Sequence, residues 1–189
     1  MHVAPALNPK PGSRVLDLCA APGGKTTHLA ELMGNEGRIT ACDIESRRLQ
    51  TVRDLARRLG IDIIETRLLN LERCEEPPAG PFDAVLVDVP CSNTGVLGRR
   101  QEVRWRLRPE DLQRLVPLVQ TGLLQQAVER VRPGGTIVYS TCSIEPEDNR
   151  QVVDKALRGS SSLVLEAEEE QVPGKPADGG YWARLRRRG

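Results

Sequence analysis

Apolar positions along the chain fall into short runs, separated by glycine turns from longer stretches of helical period. Arg14–Cys19 (RVLDLC) is a brief apolar run carrying one acid. The turn Ala21-Pro22-Gly23-Gly24 follows it, and a helix is expected from Lys25 to Met33. Arg38–Cys42 then reads as a strand, Glu45–Leu59 as a helix stopped by Gly60, and Ile61–Leu68 as a third strand. Phe82–Val87 (FDAVLV) has the near-continuous apolar character of a strand covered on both faces. After Pro109, the positions Leu112, Leu115, Val116, Val119, Leu123, Ala127 and Val131 keep a helical period, with Pro117 predicting a kink or a late start. Pro133-Gly134-Gly135 ends that helix. Thr136–Ser140 is a fifth strand, Ile144–Leu157 a helix, and Ser162–Glu166 and Tyr181–Leu185 are closing strands. The result is an α/β domain: a doubly wound, mainly parallel, seven-stranded Rossmann-like sheet.

Composition narrows the class. The 189 residues suffice for one domain with a sizeable core, and 39% hydrophobic with 28% charged residues is ordinary for a soluble globular protein. No apolar run approaches the roughly 20 residues of a membrane span, and the start Met1-His2-Val3-Ala4-Pro5 lacks the features of a signal peptide. A cytoplasmic monomer with no membrane partner is expected. Five cysteines (Cys19, Cys42, Cys74, Cys91, Cys142) and two histidines, with no CxxC pair, predict neither a metal site nor a disulfide framework. The net charge is only +1, but arginines bunch at 99–108 and 184–188. Each cluster is either a phosphate-binding surface or a solvated face.

Parallel sheets bind ligands beyond the carboxyl ends of their strands, so the residues after each strand carry the functional question. Asp17–Thr26 reads DLCAAPGGKT. Gly24-Lys25-Thr26 match a phosphate loop, but Cys19 stands where its first glycine belongs, and the dinucleotide pattern G-x-G-x-x-G is absent. S-adenosylmethionine, which needs close backbone but no pyrophosphate cradle, fits best. Asp43, ending the second strand, suits its ribose; a structural turn with Asp43 as a helix cap is the alternative.

The fourth strand leads into Asp88-Val89-Pro90-Cys91-Ser92 and the fifth into Ser140-Thr141-Cys142-Ser143. In a doubly wound order these strands are neighbours, which brings both thiols over one pocket. Cys19, Cys42 and Cys74 read as packing residues. A methyl donor, two thiols and an acid suit carbon 5 of cytosine, which becomes nucleophilic only after a thiolate adds to carbon 6. The carbon 5 proton must then leave, which gives a second group work to do.

DLCAAPGGKT, DVPCS and STCSI, in this order and spacing, resemble the Sun-type (RsmB-like) RNA cytosine-5 methyltransferases. The likeness runs from about Leu7 to Leu185 and includes RWRLRPEDL, VRPGGTIVYSTCSIEPEDN and DGGYWARLRR. It implies a methyltransferase sheet and the cofactor S-adenosylmethionine, held by Cys19, Ala20, Ala21, Pro22, Gly23, Gly24, Lys25, Asp43, Asn70 and Asp88. It implies Cys142 as nucleophile, Cys91 as the thiol that assists release, and Asp88 against the cytosine ring. The Pro90 carbonyl would accept from the exocyclic amine, and Arg99 and Arg100 would contact substrate. The Thr-Cys thiol, absent from the DNA enzymes, favours RNA. Ribosomal RNA is the first expectation and tRNA the second. Leu69-Asn70-Leu71 stands where the family usually has Gly-Asp-Ala. The family's upstream RNA-binding region is expected to be lacking from residues 1–189, so a silent cofactor- or RNA-binding fragment is the competing reading. An amino-group methyltransferase would want an aromatic residue where Cys91 stands.

Overall fold

Short apolar runs that alternate with amphipathic segments bury themselves best as a sheet covered on both faces. The computed structural model describes residues 2–70, 76–108, 110–111, 119–174 and 177–189 and has that form. The strands are β1 (Arg14–Asp17), β2 (Arg38–Asp43), β3 (Ile64–Leu68), β4 (Phe82–Asp88), β5 (Val131–Thr141), β6 (Leu163–Gln171) and β7 (Gly180–Arg187). They form one seven-stranded, mainly parallel sheet, as expected, in the order β3-β2-β1-β4-β5-β7-β6, with β4 and β5 adjacent. The first five strands are parallel, and β7 runs antiparallel between β5 and β6. Chain direction across the sheet reverses its winding at β1 and β4, where a crevice opens beyond the strand ends.

Among the described residues the helices include α1 (Val3–Leu7), α2 (Gly24–Leu32), α3 (Ser46–Arg58), α4 (Val103–Arg106), α5 (Thr121–Arg130) and α6 (Arg150–Gly159). No helix among the described residues is long and apolar enough to cross a membrane. Two apolar layers sandwich the sheet. One joins Leu16, Val85, Val87, Ile137 and Tyr139 to Leu123, Leu124 and Ala127 of α5 and to Val152 and Val153 of α6. The other joins Val15, Ile39, Leu86 and Val138 to Leu29 and Met33 and to Val3, Ala4 and Leu7 of α1.

Several boundaries differ from the sequence reading, each for a local reason. α1 was not anticipated: it is five residues long and contains Pro5, yet its Ala4 and Leu7 are buried. The third strand begins at Ile64 rather than Ile61. It is an edge strand, paired along Ile64–Leu68 with β2 alone, and its side chains are largely exposed or half-buried. Pro133-Gly134-Gly135 lies inside β5 as a register shift against β4, with Gly134 at φ 74°, rather than in a separate turn. The helix expected from Ile144 begins at Arg150, because 144–149 form a turn tied to the functional site. Both closing strands are longer than expected, and Glu166–Glu170 belong to β6. Pro109, Leu112, Leu115, Val116, Pro117 and Cys74 lie outside the described residues.

The burial of α1 makes a prediction. Leu7 is 2% exposed and Leu32, on α2, is 41% exposed. Leu7→Ala is expected to lower unfolding free energy by about 2–5 kcal/mol in urea titrations, with Leu32→Ala costing far less. Equal losses would show that α1 is not part of the core.

Candidate active site

A cleft of about 910 Å³ opens at the crevice. Cys19, Ala21, Pro22, Asp43, Ile44, Arg48 and Leu69 line one end. Asp88, Pro90, Cys91, Asn93, Arg100 and Cys142 line the other, and Gly122, Leu123 and Gln126 of α5 contribute a wall.

The first end is built on buried carboxylates. Asp17 ends β1 and accepts hydrogen bonds from Thr26 Oγ1 at 2.7 Å and the Cys19 amide at 3.2 Å. Burial, offset in part by the Thr26 bond and reinforced by Asp88, pushes its pKa up to about 7. Asp43, 4% exposed, accepts from the amides of Ala21 at 3.2 Å and Glu45 at 3.3 Å and pairs with Arg48 at 3.3 Å. Its cap-like amide contacts and its place in the cleft coexist: a carboxylate has four lone-pair sites, so hydroxyl donors can still be received. Beside it, Ile44 is 45% exposed, an apolar surface turned into the cleft.

The glycines of the turn divide their work. A Cβ at Gly23, where φ is 109°, would stand 3.2 Å from the Val52 Cα, so this glycine brings α2 and α3 together rather than making room for a ligand. A Cβ at Gly24 would meet nothing within 4 Å, and Gly24 begins α2. Ala20 is buried against Ala41 and Val52. Lys25 reaches across to the other end, where its ammonium pairs with Asp88 Oδ2 at 2.6 Å. Burial opposes that charge, but Asp88 and Asp17 outweigh it and hold the Lys25 pKa above its ordinary value. Asn70 is not among the residues that line the cleft, and the next residue, Leu71, lies outside the described residues.

The second end holds the thiols. Asp88 and Ser140 are register partners across β4 and β5, and the Ser140 hydroxyl donates to Asp88 Oδ1 at 2.7 Å. That register carries the loops after the two strands side by side, and the sulfurs of Cys91 and Cys142 meet at 3.4 Å. The Cys142 thiol also donates to Asn93 Oδ1 at 3.0 Å, while the Asn93 side-chain amide donates to the Cys91 carbonyl at 2.8 Å. The hydrogen bond from Cys91, with Lys25 and Arg100 nearby, outweighs burial and Asp88 and lowers the Cys142 pKa. The same bond, together with burial, raises that of Cys91. Of the pair, Cys142 is therefore the thiol whose ionisation is favoured and Cys91 the one whose ionisation is opposed. Burial raises Cys19 well above its usual value and Cys42 to about 12, which makes both inert.

A buried polar network behind the sulfurs escaped sequence reasoning. Asp148, fully buried, accepts from Ser92 Oγ at 2.6 Å, the Ser92 amide at 3.1 Å and Gln120 Nε2 at 2.7 Å. Ser92 Oγ and Ser143 Oγ are 2.8 Å apart, linking the residues that follow the two cysteines. Gln120 also donates to the Pro90 carbonyl at 2.9 Å, and the Tyr139 hydroxyl donates to the Asp148 carbonyl at 2.6 Å. The repeated Cys-Ser pair was the visible signal for the first part of this network. Nothing local marked Gln120, 28 residues from Asp148. Of the two arginines expected at substrate, Arg100 lines the cleft and Arg99 pairs with Asp178 at 2.9 Å.

Comparison with known proteins places this geometry. The family model for the 16S rRNA methyltransferase RsmB/F matches residues 4–179. A probable ribosomal RNA small subunit methyltransferase B from Synechocystis is 43% identical over 157 residues, covering 82% of this chain and 35% of the relative. The ribosomal RNA small subunit methyltransferase B of Klebsiella pneumoniae is 39% identical over 192 residues, covering 96% of this chain and 44% of the relative. The chain thus spans well under half the length of these relatives. Among solved structures, PH0851 superposes with a TM-score of 0.91 at 36% identity, over 97% of this chain and 44% of that one. NSun6 from Pyrococcus horikoshii, solved with the S-adenosylmethionine analogue SFG, superposes with a TM-score of 0.87 at 28% identity, over 98% and 50%. S-adenosylmethionine is the cofactor of such enzymes, and the first end of the cleft offers groups that would suit it: Asp43 could receive ribose hydroxyls, and Ile44 and Leu69 could lie against a flat purine. The chain belongs to the RsmB/F family of 16S rRNA methyltransferases.

Proposed function

We propose that this chain is the catalytic domain of an enzyme that methylates carbon 5 of a cytosine in ribosomal RNA through a covalent cysteine adduct. The observation that carries the reading is the thiol pair at 3.4 Å, with Cys142 biased toward thiolate and Cys91 toward thiol. A simple buried pair of packing cysteines would have no reason to line an open cleft beside a Lys-Asp ion pair.

The pairing gives each thiol a time to act. Cys142 Sγ adds to carbon 6 of the base, and the displaced electron pair moves into the ring toward nitrogen 3 and oxygen 2. Asp88 and Lys25 form the polar edge against which that charge develops. The Pro90 carbonyl, with one lone pair taken by Gln120, keeps the other for the exocyclic amine. S-adenosylmethionine supplies the methyl group to carbon 5. Once Cys142 is a thioether it carries no charge, so the contact that held Cys91 protonated is gone. Cys91 can then give its proton to solvent in the open cleft and, as thiolate, take the carbon 5 proton, while the bond from carbon 6 to sulfur breaks and its electrons return to Cys142.

Two outcomes test this. With labelled cofactor and ribosomal RNA, Cys142→Ala is expected to lose transfer by a factor of about 10² or more, whereas Cys91→Ala is expected to accumulate a covalent protein–RNA species on a denaturing gel. Full activity in Cys142→Ala would overturn the mechanism, and no transfer by the unaltered chain would favour a silent cofactor-binding domain. Sequencing 5-methylcytosine in the source cell with and without the gene is expected to show loss at a ribosomal RNA position; loss confined to tRNA would reassign the substrate.

A further inference from the structure

We propose that the exposed face around α4 is a landing surface for single-stranded RNA next to the target base, with Trp105 as a stacking platform between Arg104 and Arg106. This rests on the reading that the domain acts on RNA.

The first support is that the two arginine clusters, indistinguishable in sequence, differ in the fold. In the C-terminal cluster, Arg184 and Arg186 pair with Glu166, and Arg187 donates to the carbonyls of Val128 and Val131. That cluster stitches β7 to its neighbours: Arg184, Arg186 and Arg187 are engaged within the fold, and Arg188 alone of the four is exposed without a carboxylate partner among the described residues. In the other cluster, Arg99 is taken by Asp178. Arg100, Arg104 and Arg106 are exposed and pair with no carboxylate among the described residues, although Glu102 lies between them. Three free guanidinium groups on adjacent turns form a local positive surface on a chain of net charge +1.

The second support is Trp105 itself, which is 89% exposed and the most exposed large apolar side chain among the described residues. Holding an indole in water forgoes one of the largest burial gains a side chain can make. A flat aromatic between arginines suits alternating bases and phosphates: every base has a face to stack, and each guanidinium can fork onto a phosphate. An acidic protein segment would use the arginines but not the indole face.

The third support is continuity with the site. Arg100 and Arg106 line the cleft that contains Asp88, Cys91 and Cys142. A strand held on this face therefore reaches the thiols without crossing another element, and Arg100 favours the Cys142 thiolate from the same position.

The test uses the full chain with Trp182→Phe, so that Trp105 is the only indole. Titration with a single-stranded RNA of about ten nucleotides is expected to quench its fluorescence. Added to the unaltered chain, Trp105→Ala is expected to weaken RNA binding about tenfold, with Trp105→Phe recovering part of it. Arg104→Ala is expected to reduce the dependence of log affinity on log salt by about one phosphate contact. Because these side chains are exposed, unchanged melting curves will separate binding from folding. Equal RNA affinity in Trp105→Ala and the unaltered chain would overturn the proposal, as would quenching by poly-glutamate as strong as by RNA. Quenching by RNA without any methyl transfer would leave the landing surface standing and remove the catalytic reading instead.

Discussion

Behind the two sulfurs, the Asp148 carboxyl is out of contact with water and accepts three hydrogen bonds, two of them from Ser92 and one from Gln120. Burying such a group is costly unless each lone pair finds a donor. Here the donors come from the loop after β4 and from the residue just before α5, while Asp148 itself belongs to the turn after β5. Satisfying one buried group therefore locks three segments in one arrangement. The hydrogen bond between Ser92 and Ser143 lies within this arrangement, and the residues immediately before those serines are Cys91 and Cys142. The sulfur contact is a consequence of a polar core that contains no sulfur.

That constraint also explains the electrostatics. A thiol pair held at 3.4 Å cannot ionise twice, because the second charge would sit against the first. Cys142 has Lys25 and Arg100 on its side and is less buried, so ionisation of the pair is biased toward Cys142 and away from Cys91. The Lys25–Asp88 pair joins this end to the turn after β1, and Asp17 lies close enough to feel Asp88. One end of the cleft thus responds to the charge at the other, although the two are built on different strands.

Much of this was legible in the chain. Buried parallel strands announce themselves as short apolar runs, and FDAVLV before a Pro-Cys pair locates β4 and its functional loop together. Cys91 and Cys142 followed strands predicted to be neighbours, and Asp43 ended a third. The elements missed are those whose reasons lie far away in sequence. α1 is too short for periodicity to reveal, and Leu7 is held only by the packing of α2 and the sheet behind it. The helix expected from Ile144 was displaced because the side chains of Ser143, Asp148 and Asn149 bond to Ser92, Gln120 and Thr141 instead of continuing a helix. The opposite fates of Arg99 and Arg100 depend on Asp178, which no local pattern connects to them.

The central claim is that Cys91 sets the charge of Cys142, and alkylation measures it without substrate. The rate of Cys142 modification by iodoacetamide, followed by peptide mass across pH, reports its thiolate. A lowered pKa keeps the thiolate present above an inflection that lies under the group's ordinary value, and loses it as pH falls through that inflection. The account predicts that Cys91→Ala moves the inflection upward, with Cys91 itself modified far more slowly in the unaltered protein. An inflection unchanged by Cys91→Ala, or faster modification of Cys91 than of Cys142, would contradict it.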